Sequence, residues 1–288
     1  MTMDRILFGD NQFFGVNHMS EEKARAQSMK FRDTASIMKV LDVAYDEGIK
    51  TFMCTTHDRI GEVADIVREN PSRYTEFTFY PGMPYAHKYA NAVGELGIMG
   101  TLKKFAPGSI LGTMLRGAVA GITQDVHELM KMLVDAEMKR FRGTKTPVIF
   151  LQNVVTDLLL GFDMHEMFRA FHDYVSQKYG AEAGFFSMNM PRMVDVLHAQ
   201  GIENPIICSN INKIGFRMCG GVDAYIETLR TKQFRPIAMS VYASGAIRPD
   251  EAIQWVCELP KLEAIVFGAS SPQNIRGTRE LVEKYWRF

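Results

Sequence analysis

Few of the 288 residues combine a reactive side chain with a position at the end of an apolar run. The densest group is Cys54-Thr55-Thr56-His57-Asp58, closing the run 50–54. His57 titrates nearest neutral pH and suits general acid–base work. Asp58 beside it could orient the ring from a loop, or the two could simply cap a helix. Cys54 is a nucleophile if its thiol pKa is lowered; otherwise it is a small buried hydrophobe. Asp10, after the run 6–9, and Tyr80, at the end of the run 76–80, complete the candidates for moving a proton.

Neutral amides and hydroxyls stand at the other run ends: Asn11 and Gln12, Gln152 and Asn153, Asn189, Ser209, Asn210 and Asn212, Tyr242 and Ser244, Ser270 and Ser271. Such groups orient a polyhydroxylated or amide-bearing ligand through hydrogen bonds. Pro272 follows Ser271 at a position that opens a helix. Free amides there attract a phosphate, unless Ser271 serves only as the cap. A metal site is not expected. His18, His57, Asp10 and Asp58 show no HxH or HExxH spacing, and Cys54, Cys208, Cys219 and Cys257 show no metal-type or disulfide-type spacing.

The elements that must position these groups follow from the apolar runs. Strands are predicted at 6–9, 50–54, 76–80, 148–151, 184–187, 205–208, 237–241 and 264–267. Helices are predicted at 34–47, 61–69, 124–141, 164–178, 191–199, 222–231 and from Pro272 onward. After Gly15 a polar loop with Asn17, His18 and the charged run 20–26 precedes the first helix, and Pro81-Gly82 reads as the stop of the third strand. Strand–helix alternation without a linker predicts an α/β fold, a (β/α)8 TIM barrel in one domain spanning 1–288. Active sites of such barrels lie at the C-terminal strand ends, where the candidates gather. The segment 82–122 exceeds an ordinary connection and reads as a lid-like insertion, an oligomer contact or a buried extra helix.

Lys plus Arg and Asp plus Glu number 33 each, so no global field draws the chain to nucleic acid or an anionic membrane. The apolar stretch 110–122 is too short to span a bilayer and carries Arg116. No basic segment followed by a long apolar run opens the sequence. The expectation is a cytoplasmic protein with a small-molecule partner.

Residues 182–279 resemble the aldo-keto reductases, barrel enzymes that use NADPH or NADH. AGFFSMNMPRMVDVLHAQGIENPIICSNIN is similar to their fifth and sixth strands, SVYASGAIRPDEA to the loop over the pyrophosphate, and VFGASSPQNIRGT to the last strand and adenosine-phosphate helix. ILFGDNQFFG and AYDEGIKTFMCTTHDRIG resemble the opening strand and the second. The resemblance implies that Asn189 and Ser209 or Asn210 hold the nicotinamide carboxamide. It implies Tyr242, Ser244 and Gly245 over the pyrophosphate, and Ser270, Ser271, Asn274 and Arg276 at the adenosine phosphate. The family's Asp–Tyr–Lys–His tetrad is replaced here. Cys54 stands at the Asp position, Arg59 or Ile60 at the Tyr, Tyr80 or Pro81 at the Lys, and Gln152 or Asn153 at the His.

Three readings of function follow. The first is an NAD(P)-dependent oxidoreductase for a carbonyl or sugar-like substrate, with His57 or Tyr80 replacing the missing proton donor. The second is a non-redox lyase, isomerase or epimerase with His57 as base, Asp58 or Asp10 as its partner and a phosphate at the last turn. The third is a catalytically inactive barrel subunit that makes its contacts through 82–122.

Overall fold

The computed structural model describes residues 2–15, 20–84 and 122–286. Eight parallel strands close on one another in chain order: β1 (Ile6–Phe8), β2 (Thr51–Thr55), β3 (Thr78–Met83), β4 (Val148–Leu151), β5 (Glu182–Ser187), β6 (Ile206–Asn210), β7 (Arg235–Met239) and β8 (Ala264–Phe267). The helices around them are α1 (Glu21–Lys30), α2 (Thr34–Asp46), α3 (Asp58–Glu69), α4 (Ile122–Met138), α5 (Asn153–Gly161), α6 (Glu166–Tyr179), α7 (Met190–Ala199), α8 (Gly221–Thr231), α9 (Pro249–Cys257) and α10 (Pro272–Tyr285). Most of the segment 82–122, with its lid-like and oligomer readings, lies outside the described residues; Gly82 and Met83 end β3.

Alternate strand residues face opposite sides, so each strand serves two cores. Phe8, Phe52, Phe79, Ile149, Phe185, Ile207 and Ile265 pack outward beneath the helices. Leu7, Met53, Tyr80, Phe150, Cys208, Ile237 and Val266 fill the bore. The rings of Phe150 and Phe186 lie 4.9 Å apart, and Tyr80 is 6.0 Å from Phe150. Such a stack crowds the neighbouring strands, where the sequence places glycine. Gly82 and Gly184 are both in register with Phe150.

Four sequence expectations are corrected. Pro81 and Gly82 continue β3 rather than stop it, pairing with Cys54 and Thr55. In β7 the strand begins at Arg235, two residues earlier than expected, and ends where Ser240 turns left-handed at φ 54°. Arg235 is tolerated there because it bonds Glu263 and Glu182, at 2.7 and 2.6 Å, across the N-terminal end of the barrel. Within the expected polar loop after Gly15, residues 21–30 form α1, whose charged surface gives no apolar stripe to read. The fifth strand starts at Glu182, before the expected Gly184, because Glu182 pairs with Val148 in register.

A Cβ on Gly184 would come 2.3 Å from the Phe150 ring. The substitution Gly184→Ala is therefore expected to cost about 1–3 kcal/mol of stability. A thermal or urea melt of the variant against the parent chain measures it.

Candidate active site

A cavity of about 1380 Å³ opens at the C-terminal ends of the strands. Its inner part is formed by Asp10, Met53, Thr55, Gln152, Phe186 and Met239, directly above the filled bore. It continues between the loop that follows β7 and one face of α10, ending at Glu280 and Lys284.

Asp10 is the carboxylate of the inner part. It follows β1, is 6% exposed, and its Oδ2 accepts from the Thr55 amide and the Thr55 hydroxyl, both at 2.7 Å. Burial raises its pKa from 3.8 to about 6, and the two Thr55 bonds oppose that rise only in part. It is a carboxyl group that shares its proton near neutral pH, beside a hydroxyl that also lines the cavity.

The other proton-moving candidates are drawn elsewhere. His57 is the cap of α3, its Nδ1 accepting from the Arg59 amide at 3.1 Å. Its ring stacks on Phe14 at 4.2 Å, and Phe14, not His57, lines the cavity. Burial first, and then the Arg59 charge, lower the His57 pKa. Asp58 turns to Arg140, with a bond of 2.6 Å, and does not orient the imidazole. Tyr80 is 1% exposed within the bore, and burial drives its pKa far up; its charged surroundings are Asp4, Arg235, Glu182 and Glu263 from the opposite end of the barrel. Cys54 reaches the cavity edge, but its side chain belongs to the outward core. Burial and the Asp10 charge push its thiol well above the ordinary range, which opposes the thiolate form. The surroundings of these four side chains are set largely by neighbours distant in sequence: Phe14 at His57, Arg140 at Asp58, the bore at Tyr80 and Asp10 at Cys54.

The ligand-holding candidates divide in the same way. Asn210, Tyr242, Ser244, Gly245 and Asn274 line the cavity. Asn210 is 2% exposed and donates to the Arg217 carbonyl at 3.1 Å, while Asn212 bonds the Phe216 amide and carbonyl. These two side chains hold the loop after β6 with Arg217 at φ 54° and against the cavity. The loop after β7 is equally fixed. Ala243 and Ile247 are buried with Ala252, and the Tyr242 hydroxyl meets Thr278 Oγ1 on α10 at 2.8 Å. Ser240, Ala243 and Ser244 all adopt positive φ there, at roughly 1–2 kcal/mol each for residues with a Cβ. Backbone strain of this kind concentrates at functional loops.

The remaining expected contacts lie outside this lining and bond within the chain. Asn189 caps α7, accepting from the Arg192 amide at 3.4 Å. Ser209 is fully buried and donates to the Ser187 carbonyl at 2.5 Å. Ser271 caps α10 by accepting from the Asn274 amide at 3.3 Å, and the Ser270 carbonyl accepts from Lys30 at 2.6 Å. Arg276 is held by Glu47 at 2.9 Å. His18 lies outside the described residues. Among the described residues no three His, Cys, Asp or Glu side chains gather as a metal site, and no helix is long and apolar enough to cross a membrane.

Residues that type alone did not single out also line the site. Arg217 and Arg248 face the cavity from the two loops, and neither makes an ion pair among the described residues. Gly277 lies on the α10 face, with nothing within 4 Å of where its Cβ would stand. Helical periodicity from Asn274 would have found Gly277 and Leu281, but not which face meets the cavity.

Because the folded chain holds the Asp10 proton up to about pH 6 and the unfolded chain releases it near 3.8, folding binds a proton between those values. Stability contributed by the neutral form is complete below pH 3.8 and is lost as pH rises to about 6, by roughly 3 kcal/mol. Denaturant melts across pH 3.5–7 are expected to show that decline in the parent chain and its loss in Asp10→Asn.

No family model and no curated protein sequence matches the chain. Solved structures do. A Pseudomonas aeruginosa protein assigned to the aldo-keto reductases is 12% identical, with a TM-score of 0.62 over 99% of this chain and 91% of that one. An aldo-keto reductase from Bacillus halodurans, solved in its holo form, is 12% identical with a TM-score of 0.55 over 97% and 86%. A thermostable aldo-keto reductase in complex with the inhibitor epalrestat is 12% identical with a TM-score of 0.58 over 98% and 90%. At these identities the likeness is one of architecture, and this chain has the closed (β/α)8 barrel fold of the aldo-keto reductases.

Proposed function

We propose that the chain is a nicotinamide-dinucleotide-dependent oxidoreductase acting on a carbonyl or sugar-like substrate, with Asp10 and Thr55 as its proton source. The observation that carries this reading is the continuous cavity from Asp10 at the bore mouth to the far face of α10. About 1380 Å³ exceeds what a small substrate needs and accommodates an extended dinucleotide beside one.

The residues present fit that occupant. Arg217 and Arg248 supply positive charge for a pyrophosphate lying under the β7 loop. Gly277 leaves open space for the adenosine half, and Asn210 and Gln152 offer amide groups at the inner end. The acid must stand at the reacting carbonyl, so a bound dinucleotide would turn its nicotinamide toward Asp10 and its adenosine toward α10. The bound reduced cofactor supplies the hydride. With Asp10 protonated the Asp10–Thr55 bond would reverse, so that the Thr55 hydroxyl gives its proton to the carbonyl oxygen while taking one from the Asp10 carboxylic acid, and solvent then reprotonates Asp10. Reduction consumes the protonated acid, so its rate falls as pH rises past about 6, and the reverse oxidation rises across the same interval.

Titration with NADH and NADPH, followed by the fluorescence of the reduced ring, tests the reading. Saturable binding is expected, weakened about tenfold or more in Gly277→Phe, where the ring would fill the groove. Asp10→Asn is expected to bind the dinucleotide unchanged and to lose turnover over a panel of aldehydes and ketones. Absence of binding by both dinucleotides overturns the redox reading. The raised pKa of Asp10 would then favour the non-redox alternative, in which the same carboxylate abstracts a proton from the substrate.

A further inference from the structure

We infer that this chain prefers NADH to NADPH, because the far end of its cavity offers a carboxylate where a 2′-phosphate would need a cation. The inference rests on the dinucleotide reading above and concerns the chain's own residues at the adenosine end.

Helix α10 turns two charged faces in different directions. Gln273, Asn274, Gly277, Glu280, Leu281 and Lys284 line the cavity. Arg276 and Arg279 point instead to α2, where Glu47 receives both. Arg276 Nε and Nη2 each lie 2.9 Å from Glu47 Oε1, and Arg279 Nε lies 3.4 Å from Oε2. Arg279 also reaches Glu283 at 3.3 Å. The Glu47 side chain is only 17% exposed, so it is screened less by solvent than an ordinary surface carboxylate. The two guanidinium groups of α10 are thereby paired with carboxylates and turned away from the groove.

Among the described residues the ionisable groups of α10 facing the cavity are Glu280 and Lys284. Lys284 is engaged at the extreme end, donating to the Tyr285 hydroxyl at 2.7 Å and lying 3.6 Å from Asp250. Glu280 is exposed and makes no ion pair among the described residues. A carboxylate so placed accepts hydrogen bonds from a ribose 2′,3′-diol and repels a phosphate carrying nearly two negative charges. Arg248, on the opposite wall, sits at the start of α9 beside the β7 loop, where the pyrophosphate needs it.

Equilibrium titration of the intact protein with NADH and NADPH at fixed ionic strength tests this. NADH is expected to bind about tenfold or more tightly. Glu280→Lys, an exposed substitution that leaves the core untouched, is expected to raise NADPH affinity severalfold and lower that for NADH. Glu47→Gln releases Arg276 and is expected to raise NADPH affinity alone; its melting curve reports whether the α2–α10 contact survives. Equal or tighter NADPH binding by the parent chain, or no change of the ratio in Glu280→Lys, overturns the preference while leaving the dinucleotide reading intact. Failure of both dinucleotides to bind overturns the two together.

Discussion

The volume of the barrel bore is the constraint on which the rest of this structure depends. Eight closed strands leave an interior that side chains must fill, and here three aromatic rings, Tyr80, Phe150 and Phe186, take much of it. Such rings fit only because Gly82 and Gly184 flank Phe150 on the adjacent strands. With the bore filled, the space left for a ligand lies above it, at the C-terminal strand ends. The Arg235 cluster with Glu182 and Glu263 spans the opposite end.

Above that floor the site is made by strand ends and by two loops that are held rather than free. Asn210 and Asn212 hold the loop after β6, and the buried Ala243 and Ile247, with the Tyr242–Thr278 bond, hold the loop after β7. The positive φ angles in these loops are tolerated because buried neighbours fix them. A wall of this kind lets polar groups meet a ligand with little ordering cost on binding. Asp10 fits the same logic, since burial beside Thr55 both positions it and brings its proton affinity into the working range.

Much of the architecture was legible because buried parallel strands must be apolar through their length. The errors lie where a distant partner changes a local signal. Pro81-Gly82 carries the pattern of a stop, yet glycine there answers the Phe186 ring on β5, 2.9 Å from where a Cβ would stand. Arg235 does not look like the start of a buried strand until Glu182 and Glu263 are beside it. At His57 residue type could be read, whereas the stacking on Phe14 that accompanies its cap of α3 could not.

The sequence by itself determined the strand–helix alternation and the concentration of amides, hydroxyls and acids at strand ends. Both follow from local rules: apolar runs are buried, and polar residues collect where the chain leaves the sheet. Only the tertiary structure decided which of those residues share one cavity. Asp10, Gln152, Asn210 and Glu280 are far apart along the chain and meet because the barrel closes. It also decided their chemistry, since the desolvation that raises the Asp10 pKa and the contact that turns Arg276 toward Glu47 exist only once distant elements are packed.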